Sequence, residues 1–317
     1  MSVLAALLPV YFALGVGFAA GKFHVVENAH VDPLNKIVMT FALPLALFTI
    51  LAGSKRADVL AHSAVAAAVF VVTAVTYAGT YVLQRTAFRQ STASSIVQSL
   101  TVAFPNAAAV GLPIADAALG NTGELAVAVS LAVGSIILTP VTIAVLNSTE
   151  QETLRPGSSS APAWTKPLLM FARALRTPVV IAPILGLAWS LLGLPFPSLL
   201  RSTLMELGGL TAGLALFVTG LVLSGQHLRL GLNVGVSSLM ADIGRPLLAV
   251  LVVKALGMTG PMAAEVVVLM AVPSGFFGVL LAVSHGVKVG VVGPTLFYSH
   301  VLSIATLSAV IVLLPLL

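Results

Sequence analysis

The sequence predicts an all-α membrane protein of ten transmembrane helices, and three observations lead there. Only 8% of its 317 residues are charged, where a soluble domain carries about 25%, so a water-facing surface could not be covered. The chain is 58% hydrophobic with a mean hydropathy of +1.09. Its apolar residues gather in runs of about 20, the length at which a helix crosses the hydrocarbon core of a bilayer. The runs are continuous and lack the period-two alternation of a membrane strand.

Taken in order, the first half offers spans at 3–21, 34–53, 62–84, 94–119 and 124–146. The second half offers 174–193, 202–224, 232–256, 261–285 and 291–315. The first run starts at Val3 with no basic segment before it, so it reads as a retained span rather than a cleaved signal. Between the halves lies the one long polar segment, 147–173, with Thr149-Glu150-Gln151-Glu152 and Pro156-Gly157-Ser158-Ser159-Ser160. It reads as a flexible cytoplasmic linker. The expected organisation is therefore a five-helix unit at 1–146, the linker, and a second unit at 174–317. The 27 glycines and 18 prolines suit closely packed and broken membrane helices. The absence of cysteine excludes disulfides, thiol catalysis and thiolate metal sites.

The formal charge of +5 does not point to nucleic acid, because the cations sit in short loops between apolar runs. Loops after odd-numbered spans hold ten of them: Lys22, Lys36, Arg85, Arg89, Arg155, Lys166, Arg173, Arg176, Arg229 and Lys288. Loops after even-numbered spans hold four: Lys55, Arg56, Arg201 and Lys254. Arg245 lies inside a span. The positive-inside rule then puts the odd loops in the cytoplasm and both termini outside a bacterial inner membrane.

Five spans per half start the second half on the opposite side, so any internal repeat is inverted. Short echoes fall at one offset, 168 or 169 positions. Leu45-Ala46-Leu47-Phe48 returns as Leu214-Ala215-Leu216-Phe217, and Ala103-Phe104-Pro105-Asn106 loosely as Ala271-Val272-Pro273-Ser274. Pro9-Val10 returns as Pro178-Val179, and Ser135-Ile136 as Ser303-Ile304.

The fourth span carries Phe104-Pro105-Asn106-Ala107-Ala108-Ala109-Val110-Gly111-Leu112-Pro113, and the ninth Val272-Pro273-Ser274-Gly275-Phe276-Phe277-Gly278. Proline removes a backbone donor and clashes with the preceding turn. Asn, Ser and Gly tolerate the unwound backbone that follows. Broken helices persist at membrane depth only where they line a cavity or are buried in protein. A pair in corresponding positions of two halves points to a transport site, and the exposed helix N-termini suit an anion.

The Phe-Pro-Asn…Gly-Leu-Pro run, Ala271-Val272-Pro273-Ser274-Gly275, Leu214-Ala215-Leu216-Phe217-Val218-Thr219-Gly220 and Arg176-Thr177-Pro178 together resemble the auxin efflux carrier family. That family includes the plant PIN proteins and bacterial malonate and malate permeases, and the resemblance covers nearly the whole chain. It implies two inverted five-helix repeats with crossed broken helices 4 and 9, the architecture shared with sodium/proton antiporters and bile-acid symporters. It also implies elevator-like movement, a homodimer in the lipid bilayer, and a small organic anion as substrate: malonate, malate or an auxin-like monocarboxylate. The short linker fits a bacterial permease. No cofactor is implied beyond a coupling ion, H+ or Na+.

By the same resemblance Asn106 and Ser274 face substrate, with Pro105, Ala107, Pro273 and Gly275 around them. Thr40, Pro44 and Thr49 of the second span are expected nearby, with Ser135, Thr139, Ser303 and Thr306 of the fifth and tenth. Each lone Ser or Thr also fits a bond to its own helix backbone. Asp242 and Arg245, three apart within the eighth span, are expected as a coupling or structural ion pair on one helix face. His300 in the tenth span is a candidate for titration or for hydrogen-bonded packing. Plant relatives carry an acid and a base in the third span, where this chain has Thr73, Thr76, Tyr77 and Thr80.

Other classes fit less well. The motifs of intramembrane metalloproteases and serine hydrolases are absent. Adjacent acidic residues, the cation site of sodium/proton antiporters, are absent from the crossover region. A sodium-coupled bile-acid-type symporter shares the architecture and stays open at this level, as does a channel.

Overall fold

The computed structural model describes residues 3–111, 114–115, 119, 123–154, 174–225 and 228–314. Pro113, Asp116 and the linker residues 155–173, Ser158 among them, lie outside this set. Among the described residues the regular structure is helical, with no strand. The helices are α1 (Val3–Lys22), α2 (Asn28–Ala52), α3 (Ser63–Thr86), α4 (Thr92–Ala103), α5 (Ala126–Thr149), α6 (Pro178–Leu191), α7 (Ser198–Ser224), α8 (Leu232–Ala255), α9 (Gly260–Ala271), α10 (Phe277–Ser284) and α11 (Val292–Leu313). Among the described residues, six of these are long and apolar enough to cross a membrane: α2, α3, α5, α7, α8 and α11.

The helix that contains α5 runs on to Leu154, so residues 147–154 of the expected linker are helical. Gln, Glu and Leu propagate a helix well, and the first residue able to stop it is Pro156.

Three helices contain a wide π turn, at Val38–Ala42, Gly134–Leu138 and Met240–Gly244. Each ends two residues before a proline: Pro44, Pro140 and Pro246. The residue before each proline bonds five back instead of four: Leu43 to the Val38 carbonyl, Thr139 to Gly134, and Arg245 to Met240. Proline has no N–H and its ring collides with the carbonyl four residues earlier. Widening the turn relieves that collision without breaking the helix.

The helices pack in two bodies. In the first, α1 lies along α7, and α2 packs on α6 and α7. Glycines set these distances: a Cβ on Gly17 would lie 2.0 Å from the Phe217 carbonyl oxygen, and one on Gly220 2.1 Å from that of Leu14. Gly186 meets Phe48, and Gly208 meets Ala46, in the same way. The second body gathers α3, α4, α5, α8, α9, α10 and α11. Phe12, Leu232 and Leu251 are among the large apolar side chains left on the outside, which is ordinary for a lipid-facing surface.

Candidate functional site

The site begins where two helices stop. α4 ends at Ala103 and Phe104 turns extended; α9 ends at Ala271 and Val272 does the same. The two extended stretches run antiparallel and bond to each other. The Asn106 N–H donates to the Pro273 carbonyl at 2.8 Å, and the Gly275 N–H to the Phe104 carbonyl at 2.8 Å. Pro105 thus faces Ser274. This pairing satisfies backbone groups that a break in a buried helix would otherwise strand. It also requires glycine at 275, where a Cβ would lie 2.6 Å from the Phe104 carbonyl oxygen. Along the chain, 168 positions separate both Pro105 from Pro273 and Asn106 from Ser274.

Asn106 and Ser274 are buried, and α11 supplies their surroundings. His300 Nδ1 lies 2.8 Å from the Leu296 carbonyl, which can only accept, so Nδ1 carries the hydrogen. Nε2 then accepts from Asn106 Nδ2 at 3.1 Å. Among the described residues, Asn106 Oδ1 and Ser274 Oγ have no partner although both are buried. Ser303 Oγ and Tyr11 Oη donate to the His300 carbonyl at 2.7 and 2.6 Å. Tyr11 is on α1, so this last bond joins the two bodies.

Asp242 and Arg245 do not form the expected ion pair; among the described residues each has other partners. Asp242 Oδ1 accepts from Ser299 Oγ at 3.0 Å, and Ser299 Oγ in turn accepts from the Ser274 N–H at 2.8 Å. Arg245 gives all its hydrogen bonds to backbone carbonyls. Nε donates to Met270 at 2.9 Å, one terminal nitrogen to Val102 at 2.6 Å, and the other to Val272. Asp242 lies in the π turn Met240–Gly244, and Arg245 is the residue that follows it.

Thr40 is exposed in the π turn Val38–Ala42, which packs on α6 and α7, and Pro44 is buried in the turn of helix that follows. Thr139 and Thr306 bond their own helices, whereas Thr49 and Ser135 are buried and their hydroxyls have no partner among the described residues. Ala107 borders narrow gaps of about 160 Å³ in all, lined also by Pro105, Asn106, Leu131, Gly275, Phe276 and Phe277.

Sequence reasoning passed over Ser299 and Tyr11. Ser299 had one available signal, its i, i+4 spacing between Thr295 and Ser303, which puts three hydroxyls on one face of α11. Nothing local marks Tyr11, whose partner is 289 positions away.

Residues 2–311 match the family described as membrane transport protein. The chain is also 24% identical over 279 residues to uncharacterized transporter YfdV of Escherichia coli strain K12, an alignment covering 87% of this chain and 86% of that one. The same identity and coverage hold for the proteins of that name from Escherichia coli O157:H7 and Shigella flexneri. These matches point to a transporter, not an enzyme. The chain is a multi-pass membrane protein of the membrane transport protein family, the auxin efflux carrier group that its motifs resemble.

Proposed function

We propose that the chain is a secondary carrier for a small organic anion, a carboxylate of the malonate, malate or auxin-like class, working by elevator-type alternating access. The observation that carries this reading is the antiparallel pairing of two helix breaks, 168 positions apart, beside buried polar groups without partners. Paired broken helices in two halves are the arrangement in which carriers place their substrate. The Ser274 hydroxyl, without a partner among the described residues, and the N-terminus of α10, whose Phe276 and Phe277 line the gaps, are suited to donate to a carboxylate. The ten spans are read as two inverted five-helix repeats, supported by the four echoes and by a pairing whose members exchange under the same offset.

The body of α1, α2, α6 and α7 serves as the scaffold, and the other body moves against it carrying the crossover. The glycine-closed contacts of the first body support that division. The Lys and Arg bias places both termini outside, and the scaffold is the natural face for a homodimer because the moving body must stay free.

Counterflow in sealed proteoliposomes tests the reading. Internal malonate, malate or indole-3-acetate should accelerate uptake of the labelled species in trans, as a carrier requires. Equal uptake with and without internal anion would mean a channel, and no uptake of any carboxylate would remove the substrate class.

A further inference from the structure

We infer that the Arg245 guanidinium is a resident cation, occupying a site that the two broken helices build for a monovalent metal ion, so that the crossover works without bound sodium or potassium. The inference concerns the ion requirement of the crossover, and its first test does not depend on the carboxylate reading.

The argument starts from the helix ends. The last carbonyls of a helix have no partner within it, and the end carries roughly half a negative charge. Here two such ends meet. Val102 is in the last turn of α4, Met270 in the last turn of α9, and Val272 is the residue that caps α9. Their three carbonyl oxygens, drawn from both halves of the chain, all accept from the one guanidinium among fully buried residues. Carbonyls from unwound backbone and half-helix C-termini are the donor set by which carriers of this general architecture hold a cation.

In this chain the point is taken by a side chain. Arg245 is 0% exposed, carries a permanent charge, and has donors only. All three of its nitrogens are spent on that carbonyl set. Its position is fixed because it stands between the π turn Met240–Gly244 and Pro246. Nor is the guanidinium diverted to a carboxylate: Asp242 is held by Ser299 instead. A packing role alone would not call for a full positive charge at the meeting of two negative helix ends.

The test begins with the wild type. Its melting temperature in sodium, potassium or choline chloride at matched ionic strength should be the same, because a filled site gives no stabilisation by mass action. Stabilisation by sodium or potassium over choline would overturn the inference. Next, Arg245→Ala should melt lower and become stabilised, in a concentration-dependent way, by methylguanidinium or sodium. A folded Arg245→Ala protein that responds to neither would also overturn it. Should Arg245→Ala not fold, Arg245→Lys and Arg245→Gln decide: the lysine variant, which keeps the charge, should be the more stable. A glutamine variant equal to or better than lysine would show that hydrogen bonding rather than charge is needed. If no variant folds, the wild-type ion comparison decides alone.

Discussion

The body of α1, α2, α6 and α7 and the body that holds the crossover close their interiors by different means. In the first, glycines bring backbones together: Gly17 and Gly220 at α1–α7, Gly186 at α2–α6, Gly208 at α2–α7. Its buried polar side chains are few and uncharged, such as Thr49, Ser190 and Thr219. In the second, Asp242, Arg245, Glu265 and His300 are all buried, along with Gln84, Gln98, Asn106 and a row of serines and threonines. Without a hydrophobic drive between helices in lipid, close packing and interhelical hydrogen bonds are the two means of association available. The first body relies on packing, which favours rigidity. The second has close glycines too, at Gly275 and Gly278, but adds many buried hydrogen bonds, which can be exchanged for bonds to a ligand or to a new neighbour.

The largest effect expected from this contrast is at the glycine contact. Gly220→Leu should prevent assembly, since even a Cβ would lie 2.1 Å from the Leu14 carbonyl oxygen. The cost should exceed the roughly 1–3 kcal/mol typical of overpacking, because backbone cannot step aside. Gly213→Ala on the same helix has nothing within 4 Å and should be neutral or slightly stabilising. Fluorescence-detected size exclusion of both variants checks the pair. If Gly220→Leu elutes and melts like wild type, the first body is not closed by backbone contact.

Asn106→Ala should act on the second body in the opposite manner, lowering affinity more than stability. Losing one hydrogen bond to a charged ligand costs about 1.5–3 kcal/mol, or about ten- to a hundredfold in affinity. Binding and melting measured on the same purified variant separate the outcomes. Unchanged affinity in a folded variant would move the ligand role to Ser274 and the N-terminus of α10.

A smaller effect is expected from Ser299→Ala. It breaks the relay from the Ser274 N–H through Ser299 to Asp242 and leaves both ends buried without that partner, at a cost of about 1–3 kcal/mol. Thermal melting should show the loss. A variant as stable as wild type would mean that the relay is replaced, for instance by water. The smallest effect is expected at Thr40, exposed on the π turn of α2 that packs in the first body. Thr40→Ala should leave transport and melting nearly unchanged; a marked transport defect would bring α2 into the substrate path.

Much of this was legible from the chain alone. Composition and run length give the membrane helices because lipid cannot satisfy a backbone N–H or C=O, so each span must be helical and apolar. Pro105 and Pro273 give the breaks, since their effect on a helix is local. The helix containing α5 runs past the apolar stretch to Leu154, because Glu and Gln favour helix although their polarity suggests a loop. Short-range chemistry thus determined where helices form and where they fail. Who meets whom was decided only by the tertiary structure. Asp242 and Arg245 have the spacing of a pair, yet each makes its hydrogen bonds elsewhere, Asp242 accepting from Ser299 and Arg245 donating to backbone carbonyls. Arg245 then reaches carbonyls 143 and 25 residues away, and Asn106 finds His300 across 194. A buried charge or amide must satisfy its hydrogen bonds with whatever the packed fold brings within 3 Å or so, and spacing along the chain carries no record of that choice.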